Sequence, residues 1–215
     1  MRLRARDILL LLAGWALVAA VLAVLFVIFR SRGLELAGPP TPAPTYTVAF
    51  TQVTALGLYP AAEGLARAWQ PDARLVSLSA TWRETGVNLV GQPTEWNYRF
   101  YSPAGLRYYL VTVAPGGQAQ GIEHARPVDM PPPLVPVEAW SVDSVGALST
   151  WLDYGGGAML SAKPGIEVSA QLNVPSQGGE PVWAVVGYDT LYNDYLTVVI
   201  DAGSGAVLQA VRPPQ

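Results

Sequence analysis

The sequence predicts an α+β fold with one N-terminal transmembrane helix, followed by two tandem modules that each pack one helix on a small antiparallel sheet. Three observations predict it: an uncharged apolar stretch, a repeated aromatic pattern and two proline-rich segments. The predicted boundaries are a cytoplasmic stub at 1–7, the transmembrane helix at 8–29, a proline-rich linker at 30–45, the first module at 46–126, a proline-rich connector at 127–140 and the second module at 141–215.

The apolar stretch, residues 8–29, holds 22 residues without a charge. At about 1.5 Å per residue it is long enough to cross a hydrocarbon core of roughly 30 Å. A cleaved signal peptide is the alternative, but its apolar core is usually about 7 to 15 residues long and ends in a small-x-small site, which is missing here. We therefore expect a single-pass protein of the cell membrane. The small arginine excess before the helix favours a cytoplasmic N-terminus and an extracytoplasmic C-terminal domain.

An internal repeat defines the two modules. A helical Trp, a Trp that opens a strand and a Tyr-Leu pair in the next strand occur first as Trp69, Trp96 and Tyr109-Leu110, and again as Trp151, Trp183 and Tyr195-Leu196. The interval from the strand Trp to the Tyr is 13 residues in the first copy and 12 in the second. This self-similarity indicates a duplicated module, with Trp69 and Trp151 as equivalent core residues.

Residue periodicity predicts the elements of each module. In the first copy, Pro60 is placed at a helix start and Pro71 after the helix end. In the second copy, helical spacing continues until Gly155 begins a run of three glycines, and extended segments are expected from Ala158 onward. Alternating apolar and polar residues follow in both copies, which is the two-residue period of a strand with one buried face.

The last hairpin has a distinctive pattern. A strand from Tyr195 ends in Asp201-Ala202, a tight turn contains Gly205, and a short apolar strand follows. This pattern resembles the terminal hairpin of a PepSY domain. The first copy lacks the corresponding Asp. The resemblance implies a module that binds or restrains peptidases, and the tandem of helix-plus-sheet units also resembles the β-lactamase inhibitory protein fold. Both resemblances imply binding instead of catalysis.

The composition argues against an enzyme. From residue 45 onward the chain has one His, His124, one Lys, Lys163, and no Cys, so few groups can transfer a proton or attack as a nucleophile near neutral pH. Asp189, Asp194 and Asp201 lie at predicted hairpin ends. Turn geometry favours Asp there, and no loop has the ligand spacing of a calcium loop. We therefore predict no enzymatic activity, no cofactor and no metal site.

Charge and aromatic content predict the partners. From residue 45 onward, the chain has eight Lys and Arg and fourteen Asp and Glu. The resulting net negative charge would be repelled by nucleic acid. The expected partners are the lipid bilayer, through residues 8–29, and an envelope or membrane protein. Exposed Tyr and Trp side chains anchor such partners at low entropic cost. The candidate binding residues are Trp96, Tyr98, Phe100, Tyr101, Tyr108, Tyr109, Tyr188 and Tyr192.

Two functional hypotheses follow from these features. The first is a single-pass, membrane-anchored extracytoplasmic binding or regulatory protein of the cell envelope, which modulates a peptidase. The second is an accessory structural subunit of a larger membrane protein complex, in which the small residues of the apolar stretch allow close helix packing.

Overall fold

The computed structural model describes residues 47–48, 53–83, 89–90, 93–163, 165–189 and 194–213. The helices are α1 (Ala55–Trp69), α2 (Ser144–Trp151) and α3 (Gly157–Ala162), with a 3-10 turn at Val137–Ala139 and a π-helical turn at Leu152–Gly156. The strands are β1 (Thr47–Val48), β2 (Arg74–Arg83), β3 (Leu89–Val90), β4 (Trp96–Ser102), β5 (Arg107–Val113), β6 (Ala119–Glu123), β7 (Glu167–Asn173), β8 (Val182–Asp189), β9 (Asp194–Asp201) and β10 (Val207–Val211).

Eight of the strands form one antiparallel sheet in the order β10-β9-β8-β7-β2-β4-β5-β6. Each half of the chain contributes four strands, and the halves join in the middle through β2 and β7. That junction is a regular antiparallel pairing of seven residue pairs, from Ser77 opposite Asn173 to Arg83 opposite Glu167. Strands β1 and β3 form a separate parallel pair.

The predicted fold of two tandem modules, each with its own small sheet, is therefore wrong. Separate sheets would leave β2 and β7 as edge strands, each with a row of unpaired backbone N–H and C=O groups. Pairing the two strands satisfies both rows and makes one sheet. The architecture is mostly sheet, with helices that take up a smaller part of the described chain.

The predicted membrane topology also needs correction. A spanning helix needs about 20 apolar residues, whereas α1 has 15 and α2 has 8. In the ranges that the structure describes, no helix is long and apolar enough to cross a membrane. On that finding, the predicted single-pass location in the cell membrane is wrong, together with its cytoplasmic N-terminus and extracytoplasmic C-terminal domain. The predicted span, residues 8–29, lies outside the described residues.

The helices pack on one face of the sheet, where the core lies. Helix α1 contacts β4, β5 and β6, and α2 contacts β8 and β9. Because side chains alternate along a strand, every second residue of each central strand points into this core. The largest fully buried side chains of this core are Trp82, Trp96, Trp151, Trp183, Tyr98 and Phe100.

One contact is shared by both halves. The indole N–H of Trp96 donates to the Val53 carbonyl at 3.0 Å, and the indole N–H of Trp183 donates to the Val142 carbonyl at 2.8 Å. Each carbonyl belongs to the residue just before a helix N-cap. In both halves, therefore, a Trp at the start of a strand, the first residue of β4 and the second of β8, fixes where the preceding helix starts relative to the sheet.

The N-termini of α1 and α2 meet at one carboxylate. Asp143 caps α2, and its Oδ1 accepts hydrogen bonds from the backbone N–H of Ser144 at 2.6 Å and of Leu56 at 3.1 Å. The hydroxyl of Ser144, which is fully buried, also accepts the N–H of Ala55 at 3.1 Å. The first N–H groups of a helix have no partner within the helix. Here one half of the chain supplies partners for both helices.

Two helix predictions differ from the structure. Helix α1 begins at Ala55, with Thr54 as its N-cap, so Pro60 lies inside the helix instead of at its start. In the second half, Gly155 adopts a φ of 113°, a conformation that glycine tolerates. It interrupts the helix there, as predicted. The chain then resumes as α3, whereas an extended segment was expected there.

The two repeated helical Trp residues differ in burial. Trp151 is fully buried and donates to the Leu196 carbonyl at 3.1 Å. A Cβ at Gly156 or Gly187 would come within 2.3 Å of its ring, so both glycines make room for it. Trp69 also ends its helix, but it is half-buried and stacks on Tyr109 with ring centroids 4.8 Å apart. The expectation that both are equivalent core residues holds only for Trp151.

We expect the sheet to unfold in one cooperative transition. The central β2 and β7 pairing and the shared Asp143 cap link the halves, so neither half retains its packing once the other is lost. Differential scanning calorimetry should give a single peak whose calorimetric and van't Hoff enthalpies agree. Two separate transitions would show that the halves are independent.

Candidate functional site

The face of the sheet opposite the helices carries half-buried and exposed side chains. Its centre is polar and uncharged, with Ser77, Ser79 and Thr81 on β2 and Ser169, Gln171 and Asn173 on β7. We call this the open face. Towards β4, β5 and β6, arginine and apolar side chains replace these polar side chains on the open face.

The structure separates the predicted aromatic binding residues. Trp96, Tyr98, Phe100 and Tyr101 are at most 2% exposed, Tyr108 and Tyr109 are half-buried, Tyr188 is 40% exposed, and Tyr192 lies outside the described residues. Tyr98 illustrates the buried group, since its hydroxyl donates to the Ala55 carbonyl at 2.7 Å and burial raises its pKa. Of the predicted residues that the structure describes, Tyr108, Tyr109 and Tyr188 therefore have surface available to a partner.

Tyr109 belongs to the helix side of the sheet. It stacks flat on Trp69, and a Cβ at Gly121 would come within 2.1 Å of its hydroxyl. The Trp69 indole N–H donates to Glu123 Oε2 at 2.7 Å, and Arg107 pairs with the same carboxylate. The hydrogen bond from Trp69 is the main cause that holds the pKa of Glu123 below its ordinary value, and the hydrogen bond from Arg107 is the second. They tie the end of α1 to the edge strand β6.

A groove with a volume of about 730 Å³ lies on the open face above β5 and β6. Its lining includes Arg99, Tyr108, Leu110, Ile122, Arg126 and Val128. The register explains the floor, because Leu110 pairs with Arg99 on one side and with Ile122 on the other, and directly paired residues point to the same face. The groove is thus built from three adjacent strands.

The chain after β6 forms the wall of the groove. The His124 N–H donates to the Tyr108 carbonyl at 2.9 Å, and the Val128 N–H donates to the Leu106 carbonyl at 2.7 Å. These two bonds fix residues 124–128 beside the start of β5. Arg126 lies between the two tethered points, so its position follows from backbone contacts.

Apolar side chains are exposed on the groove floor. Ile122 is 70% exposed and Leu110 is 38% exposed, although they pair directly across β5 and β6. Single exposed apolar residues are ordinary, but adjacent ones rimmed by polar groups mark interaction surfaces. Leu208, on the opposite edge strand β10, is also exposed but does not line the groove.

The groove carries positive charge. Arg99 lies over the Tyr108 ring, with its guanidinium carbon 5.8 Å from the ring centre. Within the described residues, neither Arg99 nor Arg126 forms a salt bridge. The acidic lining residue, Glu123, is engaged by Trp69 and Arg107 on the other side of the sheet. The groove therefore offers two guanidinium groups to an external anion.

The candidate aspartates have partners within the protein. Lys163 Nζ lies 2.7 Å from Asp194 and 3.7 Å from Asp189, so the lysine bridges the last residue of β8 and the first residue of β9. Asp201 Oδ1 accepts the N–H of Ser204 at 2.7 Å and closes the following turn. Among the described residues, no group of three His, Cys, Asp or Glu side chains could hold a metal ion.

Hydrogen bonds lower the pKa of four carboxyl groups. The first cause is the Ala104 backbone N–H for Asp72, the Trp69 indole for Glu123, Lys163 for Asp194 and the Ser204 hydroxyl for Asp201. A lowered folded-state pKa contributes stability that is present above the unfolded-state pKa, and this stability is lost as the pH falls through the folded-state pKa.

We therefore expect the protein to lose stability in acid. The melting temperature should fall as the pH drops below about 4, near the ordinary pKa of Asp and Glu. Thermal melts followed by circular dichroism would measure the decline. The variant Asp201→Asn should show a shallower decline than the wild type. A melting temperature that stays constant down to a pH of about 2, below the ordinary carboxyl range, would contradict this expectation.

Comparisons with known proteins identify no family for this chain. No protein-family model matches this chain, and no curated protein matches it. Among solved structures, the chain is similar to a "putative lipoprotein" from Clostridium difficile 630, with 10% sequence identity and a TM-score of 0.43. The alignment covers 72% of this chain and 91% of that chain. The PepSY resemblance of the last hairpin is not shown by these comparisons.

Sequence reasoning missed most of the groove. The predicted binding residues are all aromatic, so they do not include Arg99, Leu110, Ile122 or Arg126. The alternation of β4 contained a signal: Arg99 lies between Tyr98 and Phe100, so it must point away from the face that buries them.

Proposed function

We propose that this protein is a non-catalytic binding protein associated with the cell envelope, and that the groove on its open face binds a partner protein. The observation that supports the site is the exposure of Ile122 and Leu110 beside two arginines that have no salt bridge within the described residues. Apolar anchors next to Arg and Tyr are typical of the residues that dominate protein interfaces.

The composition supports a binding role over catalysis. His124 is the single His of the chain, and it is exposed on the groove wall with its Nδ1 3.5 Å from the Arg126 carbonyl. No Cys occurs, and Lys163 is engaged by two aspartates away from the groove. A general base or nucleophile activated by a neighbouring group is therefore missing from the described groove.

The envelope association has its support in the sequence. An apolar N-terminal stretch is typical of segments that direct a chain to a membrane, and the proline-rich residues after it favour an extended spacer. Modulation of a peptidase is the finer function that the PepSY resemblance implies, and we assign it to the same groove. Cell fractionation and a peptidase assay with the purified protein test these two parts.

The binding site is tested by matched substitutions at exposed apolar residues. Ile122→Asp places a charge on the groove floor, and Leu208→Asp places the same charge on the opposite edge of the same sheet. We expect the wild type and Leu208→Asp to retain a stoichiometric partner after gentle extraction, and Ile122→Asp to lose it. Retention of the partner by Ile122→Asp, or equal loss in both variants, would rule out the groove.

A further inference from the structure

We infer that the groove binds an acidic peptide segment of the partner, with carboxylates at Arg99 and Arg126 and an apolar side chain between them on Leu110 and Ile122. This inference rests on the proposed function, because it names the ligand of the same groove.

Charge complementarity supports an acidic ligand. The planar guanidinium of arginine matches a carboxylate in a bidentate geometry, and two such groups line the groove without a salt bridge in the described part of the chain. Elsewhere the charge has the opposite sign, since acidic residues exceed basic ones from residue 45 onward. An acidic segment would be repelled by most of the protein and attracted to this groove, which favours one binding orientation.

The fixed positions of the groove residues support a defined site. Arg99 lies over Tyr108, which limits its movement, and the backbone bonds of His124 and Val128 hold the loop that carries Arg126. Glu123 does not neutralise the site, because Trp69 and Arg107 engage its carboxylate. A groove whose charged groups are already positioned loses less entropy on binding.

The shape favours a segment of a larger partner over a small molecule. Small-ligand sites usually enclose about 70 to 90% of the ligand surface. Here Ile122, which forms part of the apolar floor on the edge strand β6, is 70% exposed. A protein that covers the groove from above would bury this side chain, whereas a small ligand would leave much of its own surface in water.

The inference can be tested with a displayed library of random peptides and the purified full-length protein. The selection is performed on the wild type, and the best peptides are then measured by fluorescence anisotropy against Arg99→Glu, Arg126→Glu and the control Arg67→Glu. Arg67 is an exposed arginine on α1, so its substitution changes the net charge equally without touching the groove.

We expect the selected peptides to carry acidic residues on both sides of an apolar residue. Arg99→Glu and Arg126→Glu should each weaken binding at least about tenfold, the effect of losing roughly 1.4 kcal/mol of binding free energy. Arg67→Glu should change binding less than about twofold, since exposed charges away from a site are screened.

Several outcomes would overturn the inference. Neutral or basic selected peptides, or affinity that is unchanged by both groove variants, would exclude an acidic segment. Binding to phosphatidylglycerol vesicles that Arg99→Glu abolishes, without any selected peptide, would replace the peptide by a lipid headgroup. If the partner is retained by the wild type and lost by Ile122→Asp while acidic peptides fail, the proposed function stands and only the ligand class is wrong. If both experiments fail, the groove is not the binding site.

Discussion

Replacing Trp151 by Ala should lower the free energy of unfolding by about 3 to 5 kcal/mol, the usual cost of emptying a large aromatic site in a core. The ring is fully buried against β8 and β9, and its N–H donates to the Leu196 carbonyl. Gly156 and Gly187 lie against the ring, and neither has a side chain that could fill the space it leaves. Urea denaturation monitored by circular dichroism would measure the loss.

The matched control for this prediction is Trp69→Ala. Trp69 holds the corresponding last position of α1 but is half-buried, so its removal should cost clearly less than the removal of Trp151. Equal losses in the two variants would mean that both rings are core residues, as their places in the repeat first suggested.

Replacing Asp143 by Ala should cost about 2 to 3 kcal/mol, more than the roughly 1 kcal/mol that one helix cap typically contributes. The excess is expected because the carboxylate accepts N–H groups from both α1 and α2, and its loss leaves donors of two helices unsatisfied. Urea denaturation of Asp143→Ala would measure the effect.

Thr54→Ala is the control for the Asp143 prediction. The Thr54 hydroxyl caps α1 alone, through the Gly57 N–H at 3.0 Å, so its removal should cost only about 1 kcal/mol. A cost for Asp143→Ala no greater than that of Thr54→Ala would show that the bond to Leu56 contributes nothing to stability.

The sequence predicted the local structure better than the assembly of the sheet. The alternation of apolar and polar residues in the first copy indicated strands, and β4 is one of them. The pairing of β2 with β7 could not be predicted from alternation. Each strand has the same two-residue period whether its neighbour is in its own half, in the other half or absent, so the period does not identify the partner.

Burial explains why the candidate site was only partly predicted. Trp96 and Tyr98 were chosen for their residue type, but both lie on the face that α1 covers. Only knowledge of which face the helices pack on separates them from Tyr108. The positive charge of the groove depends on Arg126, whose place beside β5 follows from backbone hydrogen bonds of a loop without periodicity.

The central claim is that the partner binds at the groove on the open face. The most direct measurement is site-specific photo-crosslinking in intact cells, with a photoreactive amino acid at position 122, 154 or 208. Ile122 lies in the groove, while Tyr154 and Leu208 are 52% and 58% exposed at other places. We predict that position 122 crosslinks to one defined partner and that Arg99→Glu removes this product. Crosslinks of equal yield from position 154 or 208, or a product from position 122 that Arg99→Glu leaves unchanged, would contradict the claim.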